Sequence, residues 1–471
     1  TIPQNRTVMK SKNDTIAALA SGRGGAIALI RVSGNDSITV GDKIFHGIHG
    51  KTLADTKSFT IRYGTICDGE RTIDEVLISV FRAPHSYTGE NMIEISCHAS
   101  PYICQEILRL LSQTGARAAT AGEFTLRAFL AGKVDLSQAE AVADVIAADN
   151  RAAHTLAFQQ MRGGYSDEFK ILRERLIELV SLIELELDFS EEEVEFADRK
   201  QLDELIDVIE HRLKKLIDSF RYGNVLKTGI PVAIVGVPNV GKSTLLNALL
   251  QEDKALVSDI AGTTRDVIED TLTLHGINFR FIDTAGIRQT EDPLEHMGIE
   301  RTFDRIGKAS IILLMTDAQE SAEDIYAQYC AVPCRDDQRL ALLLNKCDRI
   351  SAQELTQKRA ALSSQIPHHP ILTLSAKQQS GLDKLIAFLC EGYDNEKLQE
   401  EVVVFNNRHH ELLEQAHNAL LRAKDGLESG ISGDLLAQDL REVLHYIGMI
   451  TGEITTDDIL DSIFSKFCIG K

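Results

Sequence analysis

Residues 232–243, VAIVGVPNVGKS, constrain the fold of this chain more than any other stretch. Residues 232–235 are apolar and predict a buried strand, the next eight spell G-x-x-x-x-G-K-S, and the helical pattern LLNALL follows. Strand, glycine-rich loop and helix in this order predict a P-loop, in which Gly236 and Gly241 permit the tight turns that aim backbone N–H groups at phosphate oxygens. The alternative, a glycine-rich turn that binds nothing, does not account for the flanking strand and helix.

The P-loop and a later segment supply groups for a triphosphate and its metal ion. Lys242 is expected to contact the terminal phosphates and to act in catalysis, and the Ser243 hydroxyl is expected to bind Mg²⁺. Residues 258–266, SDIAGTTRD, contain adjacent threonines in a loop that suits a switch ordered by Mg²⁺ and the γ-phosphate. We predict Thr264 as a second hydroxyl ligand of Mg²⁺.

A strand predicted at 279–282 leads into Asp-Thr-Ala-Gly. Asp283 is expected to hold Mg²⁺ through a water molecule, and the Gly286 N–H is expected to contact the γ-phosphate. The next residue is Ile287, where Ras-like proteins place a glutamine that orients the attacking water. Isoleucine cannot do this, so another group must, and acidic candidates follow at Glu291, Asp292 and Glu295.

Two further predicted strands, 340–344 and 371–374, end in Asn-Lys-Cys-Asp and Ser-Ala-Lys. The Asp348 carboxylate can accept hydrogen bonds from the ring N–H and exocyclic amine of guanine, a donor pair that adenine lacks. A backbone N–H of the second motif can meet the guanine O6. In this order, at strand ends of a parallel α/β sheet, the motifs predict GTP binding. The predicted GTP contacts are Asn239, Val240, Gly241, Lys242, Ser243, Thr244, Ser258, Asp259, Ile260, Ala261, Gly262, Thr263, Thr264, Asp283, Thr284, Ala285, Gly286, Asn345, Lys346, Asp348, Ser375, Ala376 and Lys377.

Asn239, in the P-loop, has two interpretations that spacing leaves open. Its amide oxygen can ligate a monovalent cation, which would supply the charge that an arginine finger brings in other GTPases. Alternatively, Asn239 only stabilises the turn.

Length and composition indicate a multidomain cytosolic protein. With 471 residues, 44% of them hydrophobic, two or three domains are expected. The net charge is -20, and twelve acidic residues between Glu184 and Glu210 predict a solvated face that binds nucleic acid poorly, so a tRNA would need local basic patches. The sequence shows no signal peptide, no long apolar run and no C-x-x-C pair among its eight cysteines. We therefore expect reduced thiols, no membrane segment and no zinc site.

Periodicity divides the rest of the chain into an α+β part and a helical part. Strands are predicted at 26–32, 60–67, 75–81 and 92–97, and helices at 101–113 and 122–131. Helical spacing then runs from 136 to about 226 and returns at 408–427, 435–446 and 457–467. Long amphipathic helices of this kind pack as a bundle. We predict a discontinuous bundle into which the P-loop domain is inserted.

Motifs along the whole chain resemble one family. They are GRGG and RVSG near the start, SYTGE at 86–90, GEFTLRAFLAGKVDLSQAEAVAD at 122–144, NVGKS, DIAGTTRD, DTAGIR, GIER at 298–301, ITGEITTDDIL at 450–460 and the terminal FCIGK. On these residues the chain resembles the MnmE (TrmE) family of tRNA-modification GTPases, a group of the TrmE-Era-EngA-like GTPases.

The resemblance implies a multidomain α/β and α fold. Residues 1–132 would form an N-terminal α+β domain, similar to glycine-cleavage aminomethyl transferases, that binds tetrahydrofolate and makes a homodimer. A helical domain would take 133–228 and 393–471, and a Ras-like G domain with a doubly wound sheet would take 229–392.

The resemblance also implies an activity and partners. The family works with the FAD-dependent protein MnmG, in a heterotetrameric or larger cytoplasmic complex, on C5 of wobble uridine 34 of certain tRNAs. It adds carboxymethylaminomethyl or aminomethyl groups, with a folate as one-carbon donor and with K⁺-stimulated GTP hydrolysis through pairing of G domains.

The matching motifs assign family roles to residues that would otherwise be interpreted as surface charges or turn residues. The contacts to 5-formyltetrahydrofolate, or a related tetrahydrofolate, fall on Arg31, Glu94, Lys133 and Lys471. The K⁺ ligands fall on Asn239 and on backbone groups of Ser258, Ile260 and Thr263. The glutamate that orients water falls on Glu295.

Cys468 stands four residues from the end, but the residues after it do not suit prenylation and nothing upstream is polybasic. One interpretation is a small buried apolar residue. The family suggests instead a reactive, catalytic thiol near the folate, which would need a cationic neighbour such as Lys471.

Two rival functions remain open at this point. A GTP-driven assembly factor explains the G motifs but neither a folate-like domain nor the terminal cysteine. The other rival is a folate-dependent transferase that uses its G domain only as a structural switch.

Overall fold

The computed structural model describes residues 14–22, 24–188, 199–256, 270–282, 306–393 and 402–471. These fall into two units. The first takes the described residues of Thr1–Ile146, Gln160–His211 and Leu412–Lys471, and the second takes those of Ala147–Gln159 and Arg212–Glu411. The domain boundaries expected after residues 132, 228 and 392 stay predictions.

A seven-stranded sheet in the order β3-β4-β5-β6-β2-β1-β7 forms the core of the first unit. Its strands are β1 Thr15–Leu19, β2 Ile27–Ser33, β3 Phe45–Gly47, β4 Thr60–Asp68, β5 Arg71–Phe81, β6 Met92–His98 and β7 Ala116–Ala118. Neighbours are antiparallel except β1 and β7. The strands predicted at 26–32, 60–67, 75–81 and 92–97 are confirmed, with ends shifted by up to four residues.

Alternation along the strands separates a buried core face from an opposite face that carries both polar and exposed apolar side chains. Ile30 and Val32 of β2 are fully buried beneath α1 Ser37–Asp42 and α2 Pro101–Thr114. Arg31 lies between them in sequence, so it points to the opposite face, where it is the cross-strand neighbour of Glu94 on β6. The period-2 geometry therefore places the first two predicted folate residues side by side.

Helices follow the sheet. The further helices of the first unit are α3 Glu123–Leu130, α4 Leu136–Ala147, α6 Gly164–Asp188, α13 Gly433–Thr451 and α14 Asp457–Phe464. The helices divided between the two units are α5 Arg151–Met161, α7 Arg199–Thr228 and α12 Asn407–Ser429. Helix α6 packs along α13, and Lys424 of α12 bridges Asp207 at 2.6 Å and Glu210 at 2.8 Å on α7. The helices predicted at 101–113, 122–131, 408–427, 435–446 and 457–467 are confirmed apart from their ends.

The second unit has a six-stranded sheet in the order β13-β12-β11-β8-β10-β9. Its strands are β8 Ile230–Val235, β9 Asp270–Leu274, β10 Ile277–Phe281, β11 Ile311–Asp317, β12 Arg339–Asn345 and β13 Ile371–Thr373, and its further helices are α8 Lys242–Leu256, α9 Ala322–Cys330, α10 Ala352–Gln365 and α11 Leu382–Cys390. The pairing is parallel except at one edge, where β9 runs antiparallel to β10. The predicted parallel α/β sheet is thus confirmed with one antiparallel edge strand.

Near its exit from the second unit, the chain passes beside α7, the helix that leads into the P-loop sheet. The Val404 N–H donates to Ser219 Oγ at 3.0 Å, and a Cβ at Gly223 of α7 would overlap the Val404 carbonyl oxygen. The Lys227 ammonium lies 5.1 Å from the centre of the Phe405 ring. Adjacent entry and exit are what an inserted domain requires, which supports the predicted insertion.

An ionic network fastens α3 to the start of β1. Arg127 contacts Asp14 at 2.6 Å and Glu123 at 3.1 Å, and Arg117 contacts Asp14 at 2.6 Å and Glu123 at 2.5 Å. Burial favours the neutral form of Glu123, but the hydrogen bonds from Arg117, from the Thr120 N–H and from Arg127 outweigh it and lower the pKa of Glu123 to about 2. Glu123 therefore stabilises the fold as an anion.

The lowered pKa makes this stabilisation pH-dependent. It is fully present above the usual carboxyl pKa of 4.5 and is lost as pH falls toward 2. We expect Glu123→Gln to cost about 1–2 kcal/mol of N-terminal stability at pH 7, since solvent screens part of the network, and less than half of that at pH 3. A urea series at both pH values checks this, with labelling of the buried thiols Cys97 and Cys104 by 4,4′-dithiodipyridine as the reporter of that core. An equal cost at both pH values would contradict the assignment.

Candidate nucleotide site and N-terminal pocket

The P-loop turns tightly between β8 and α8, as its glycines require. All six residues of β8 are buried, and α8 begins at Lys242. Gly236 has φ 148°, and a Cβ there would overlap the Met315 carbonyl oxygen. Gly241 has φ 108°, and a Cβ there would lie 2.5 Å from the Asn345 side-chain nitrogen. Only glycine fits either position, because L side chains rarely adopt these angles and have no room here.

Asn239 sits at φ 59°, the left-handed region that asparagine tolerates better than most residues. This geometry supports the interpretation that Asn239 stabilises the turn, and the residue is exposed. Lys242 Nζ donates to the carbonyl oxygens of Gly236 at 2.7 Å and Val237 at 2.9 Å, so its ammonium lies over the P-loop. Ser243 and Thr244 occupy the first turn of α8, whose positive dipole end favours phosphate.

Asn345 and Lys346, at the end of β12, tie the P-loop to the base motifs. Asn345 is 3% exposed, and its Nδ2 donates to the Val240 carbonyl at 2.7 Å. Its Oδ1 accepts from the Ala376 N–H at 3.0 Å. Lys346 Nζ donates to the Asn239 carbonyl at 3.0 Å and to Asp317 Oδ2 at 2.7 Å. These hydrogen bonds fix the P-loop and the loop at Ala376 relative to each other.

The predicted base carboxylate is already oriented. Ser375 Oγ donates to Asp348 Oδ1 at 2.6 Å, and this hydrogen bond lowers the pKa of Asp348, so the group is anionic at neutral pH. The hydrogen bonds of the Ser-Ala-Lys motif indicate which of its backbone N–H groups is open to the guanine O6. Ser375 donates its N–H to Ser380 and Ala376 donates its own to Asn345, which makes the Lys377 N–H the more available donor of the motif.

Part of the predicted nucleotide site lies outside the described residues. This holds for the whole first switch segment, for the Asp-Thr-Ala-Gly motif and for the water-orienting candidate. Ser258, Asp259, Ile260, Ala261, Gly262, Thr263, Thr264, Asp283, Thr284, Ala285, Gly286 and Glu295 remain predictions, as do Ile287, Glu291 and Asp292.

A second site lies in the first unit, where a pocket of about 430 Å³ opens on the sheet. Two of the four predicted folate residues, Glu94 and Lys133, line it. The other lining residues are Phe59, Phe81, His85, Ser86, Tyr87 and Met92. Aromatic walls with one carboxylate and one ammonium suit a flat heteroaromatic ligand that carries both hydrogen-bond donors and negative charge.

Arg31 is held firmly beside this pocket. Its guanidinium contacts Glu94 at 2.8 Å and lies 5.1 Å from the Tyr87 ring centre and 5.6 Å from that of Phe124. Tyr87 is fixed in turn by a hydrogen bond of 2.9 Å between its hydroxyl and that of Thr125. Sequence reasoning missed Tyr87 and Phe124, although both lie within the quoted motifs SYTGE and GEFTLRAFL.

The C-terminal tail reaches the same place. Ile469 forms an isolated bridge with Ala121, and a Cβ at Gly470 would overlap the Leu19 carbonyl oxygen. Arg31 Nη1 donates to the Gly470 carbonyl at 3.4 Å. The structure therefore brings the tail, with Lys471 half-buried at its end, to Arg31 as the family pattern implies. Cys468 is exposed, so the interpretation as a small buried residue is wrong.

The fold, the P-loop and the loop that follows β12 together define the class of protein. This is a P-loop protein of the G-domain type, in which the predicted guanine-binding carboxylate, Asp348, follows the end of β12. The model described as the MnmE helical domain matches residues 136–468, and the model described as the GTP-binding protein TrmE N-terminus matches residues 15–133.

Full-length relatives agree with these models. The tRNA modification GTPase MnmE of Christiangramia forsetii is 51% identical over 98% of this chain and 99% of that protein. The MnmE of Bacteroides thetaiotaomicron is 50% identical over 97% and 99%, and that of Cytophaga hutchinsonii is 47% identical over 99% of both chains. The chain belongs to the MnmE family of tRNA modification GTPases.

The geometry around Asp348 predicts base specificity. Asp348→Asn should replace an acceptor with a donor, weaken GTP binding by more than about tenfold and favour xanthosine triphosphate, whose 2-oxo group accepts where guanine donates. Titration with fluorescent GTP and XTP analogues measures this, with Asp383→Asn, in α11, as the control. Equal affinity of the wild type for ATP and GTP would contradict the role of Asp348.

Proposed function

We propose that this chain hydrolyses GTP to drive modification at C5 of wobble uridine 34 of certain tRNAs. The reaction adds a carboxymethylaminomethyl or aminomethyl group, with the FAD-dependent protein MnmG as partner and a folate as one-carbon donor. One observation carries the proposal: a single chain holds a guanine-type nucleotide site and, in its other unit, an aromatic pocket flanked by Arg31, Glu94 and the C-terminal tail. A GTP-driven assembly factor would need only the first.

The N-terminal pocket fits a tetrahydrofolate such as 5-formyltetrahydrofolate. Its volume lies within the range of about 300–1,000 Å³ that is usual for small-molecule sites. The pterin ring presents the same amine and ring N–H pair as guanine, and Glu94 can accept from it. Lys133 and Lys471 can neutralise the glutamate carboxylates of the ligand, while Tyr87 offers a flat wall. Bound folate would supply the one-carbon unit, and these residues would bind and orient it.

Cys468 is the candidate nucleophile near this pocket. Its thiol is exposed, and the tail that carries it is anchored by Gly470 through the contact to Arg31. An exposed thiol is accessible for reaction, whereas a buried one is not. This supports the catalytic interpretation of Cys468.

The folate site makes a direct binding prediction. Isothermal titration of the full chain with 5-formyltetrahydrofolate should show binding that Arg31→Ala removes, because the guanidinium organises both Glu94 and the tail. Lys51→Ala, on an exposed loop of the same unit, should bind like the wild type. Absence of binding by the wild-type chain would remove the folate donor from the proposal and leave GTP hydrolysis intact.

The open face of the N-terminal sheet supports a homodimer. Ile27, Phe59 and Ile61 are 70%, 71% and 60% exposed, and Tyr63 and Leu77 form an exposed cross-strand pair on the same face. An exposed apolar surface of this kind is typical of an interface. We propose a second copy of the chain as its occupant, with MnmG joining the dimer in a heterotetrameric or larger complex.

We place the protein in the cytoplasm, where its tRNA substrates are found. In the described part of the chain, no helix combines the length and apolarity needed to cross a bilayer. Since the overall charge is -20, contact with tRNA would use local basic patches rather than the general field of the protein.

For hydrolysis we propose a cation-assisted mechanism. Ser243 and Thr264 would hold Mg²⁺, and K⁺ would bind Asn239 with backbone groups of Ser258, Ile260 and Thr263. The K⁺ would stabilise the charge that develops between the β- and γ-phosphates. Glu295 would orient the water in place of the glutamine that Ile287 replaces. Pairing of two G domains across their switch faces would order these loops.

This mechanism predicts ion selectivity. The GTPase rate should rise on the order of tenfold with K⁺ and little with Na⁺, whose smaller radius fits a K⁺ site poorly. Asn239→Ala should remove the K⁺ response and largely spare nucleotide binding, because Lys242 and the loop N–H groups remain. Glu295→Ala should retain K⁺-dependent pairing and lose hydrolysis. Phosphate release in K⁺ and Na⁺ buffers of equal ionic strength measures this, and equal rates would leave Asn239 as a turn residue.

A further inference from the structure

The tip of the hairpin β9–β10 contacts a turn that lies far from it in the sequence. The segment Ala147–Gln159, between and within helices α4 and α5, belongs to the second unit although it precedes the P-loop by about 80 residues. The Ala152 N–H donates to the Gly276 carbonyl at 3.0 Å, across the hairpin tip. Ala152 is fully buried, so this is a closed contact.

Side chains reinforce the backbone bond. Asn278 Nδ2 donates to Asp149 Oδ1 at 3.0 Å, and Asn278 Oδ1 accepts from Thr273 Oγ1 within the hairpin at 2.8 Å. Asn278 is 6% exposed. Gly276 has φ 80°, and a Cβ there would lie 2.8 Å from Arg151 Cβ, so the tip and the turn are in close backbone contact.

The same hairpin is tied to the nucleotide site at its other end. β10 pairs with β8 in parallel, Phe279 opposite Ile230, and β8 runs directly into the P-loop. β9 begins four residues after SDIAGTTRD, and β10 ends two residues before Asp283. In the described sheet, β9 is an edge strand held by β10 alone. The hairpin therefore lies in sequence between the two predicted switch segments and pairs directly with the strand that leads into the P-loop.

We propose that the contact between the hairpin tip, 275–278, and the turn 149–152 is a nucleotide-sensitive link that carries the state of the GTP site into helices α4 and α5. Packed interfaces tend to switch between discrete arrangements rather than deform gradually, so a shift of β10 makes or breaks this contact. The link rests on membership of the GTPase family and does not depend on the folate, MnmG or K⁺ proposals.

Hydrogen exchange at the Ala152 amide tests the link in the full-length protein. The exchange rate should differ between the GDP-bound and GTPγS-bound wild type by roughly two- to tenfold, the range for one net hydrogen bond. Equal exchange in both states would overturn the proposal and make the contact static packing.

A reciprocal exchange of side chains sharpens the test. Asn278→Asp keeps the acceptor for Thr273 but sets two carboxylates against each other, so it should abolish the nucleotide-dependent difference. Adding Asp149→Asn reverses the donor and acceptor and should restore the difference. Glu174→Ala, at an exposed position of α6, is the control and should behave like the wild type. If the double variant behaves like Asn278→Asp alone, the Asp149–Asn278 pair does not form part of the link.

Discussion

The buried amide of Asn345 is the interaction on which the nucleotide site depends. One side chain donates to the P-loop carbonyl of Val240 and accepts from the Ala376 N–H of the base loop. Both bonds lie in the interior, where an unpaired polar group costs about 1–3 kcal/mol, so neither loop can move without a penalty at the other. Lys346 repeats the connection through the Asn239 carbonyl and Asp317. Burial favours protonation of Asp317, but the hydrogen bonds from Lys346 and the Gln319 N–H, together with the positive charges of Lys346 and Arg349, outweigh it and lower the pKa of Asp317.

Arg31 has the corresponding role in the first unit. Its guanidinium joins β2 to β6 through Glu94, stacks between Tyr87 and Phe124, and reaches the tail at Gly470. A planar guanidinium can satisfy all of these contacts at once, whereas a lysine ammonium offers neither stacking nor a fixed fork of donors. Strand β2 and the C-terminal tail therefore meet at Arg31.

The sequence predicts best where chemistry restricts residue choice. Gly236 and Gly241 are required by backbone angle and space, and Asn345 by its two buried hydrogen bonds, so local patterns are sufficient there. The contacts of Tyr87 and Phe124 with Arg31 join residues far apart in the sequence, and no local period encodes them. The same holds for Gly276 against Ala152. The sequence does not predict strands β1, β3 and β7, because runs of three to five residues are too short to show a clear alternation of apolar and polar side chains.

Cys468 shows a different limit of sequence reasoning. Free cysteines are usually buried, yet the anchoring of Gly470 and the bridge at Ile469 leave this thiol exposed.

The central claim is that the nucleotide site and the N-terminal pocket serve one reaction on tRNA. Mass spectrometry of tRNA nucleosides from a strain that lacks this gene tests it most directly. We expect C5-modified wobble uridine to be missing, to return with the wild-type chain and not with Asn345→Ala, which leaves the pocket intact. Unchanged wobble uridine in the deletion strain, or full recovery with Asn345→Ala, would contradict the account.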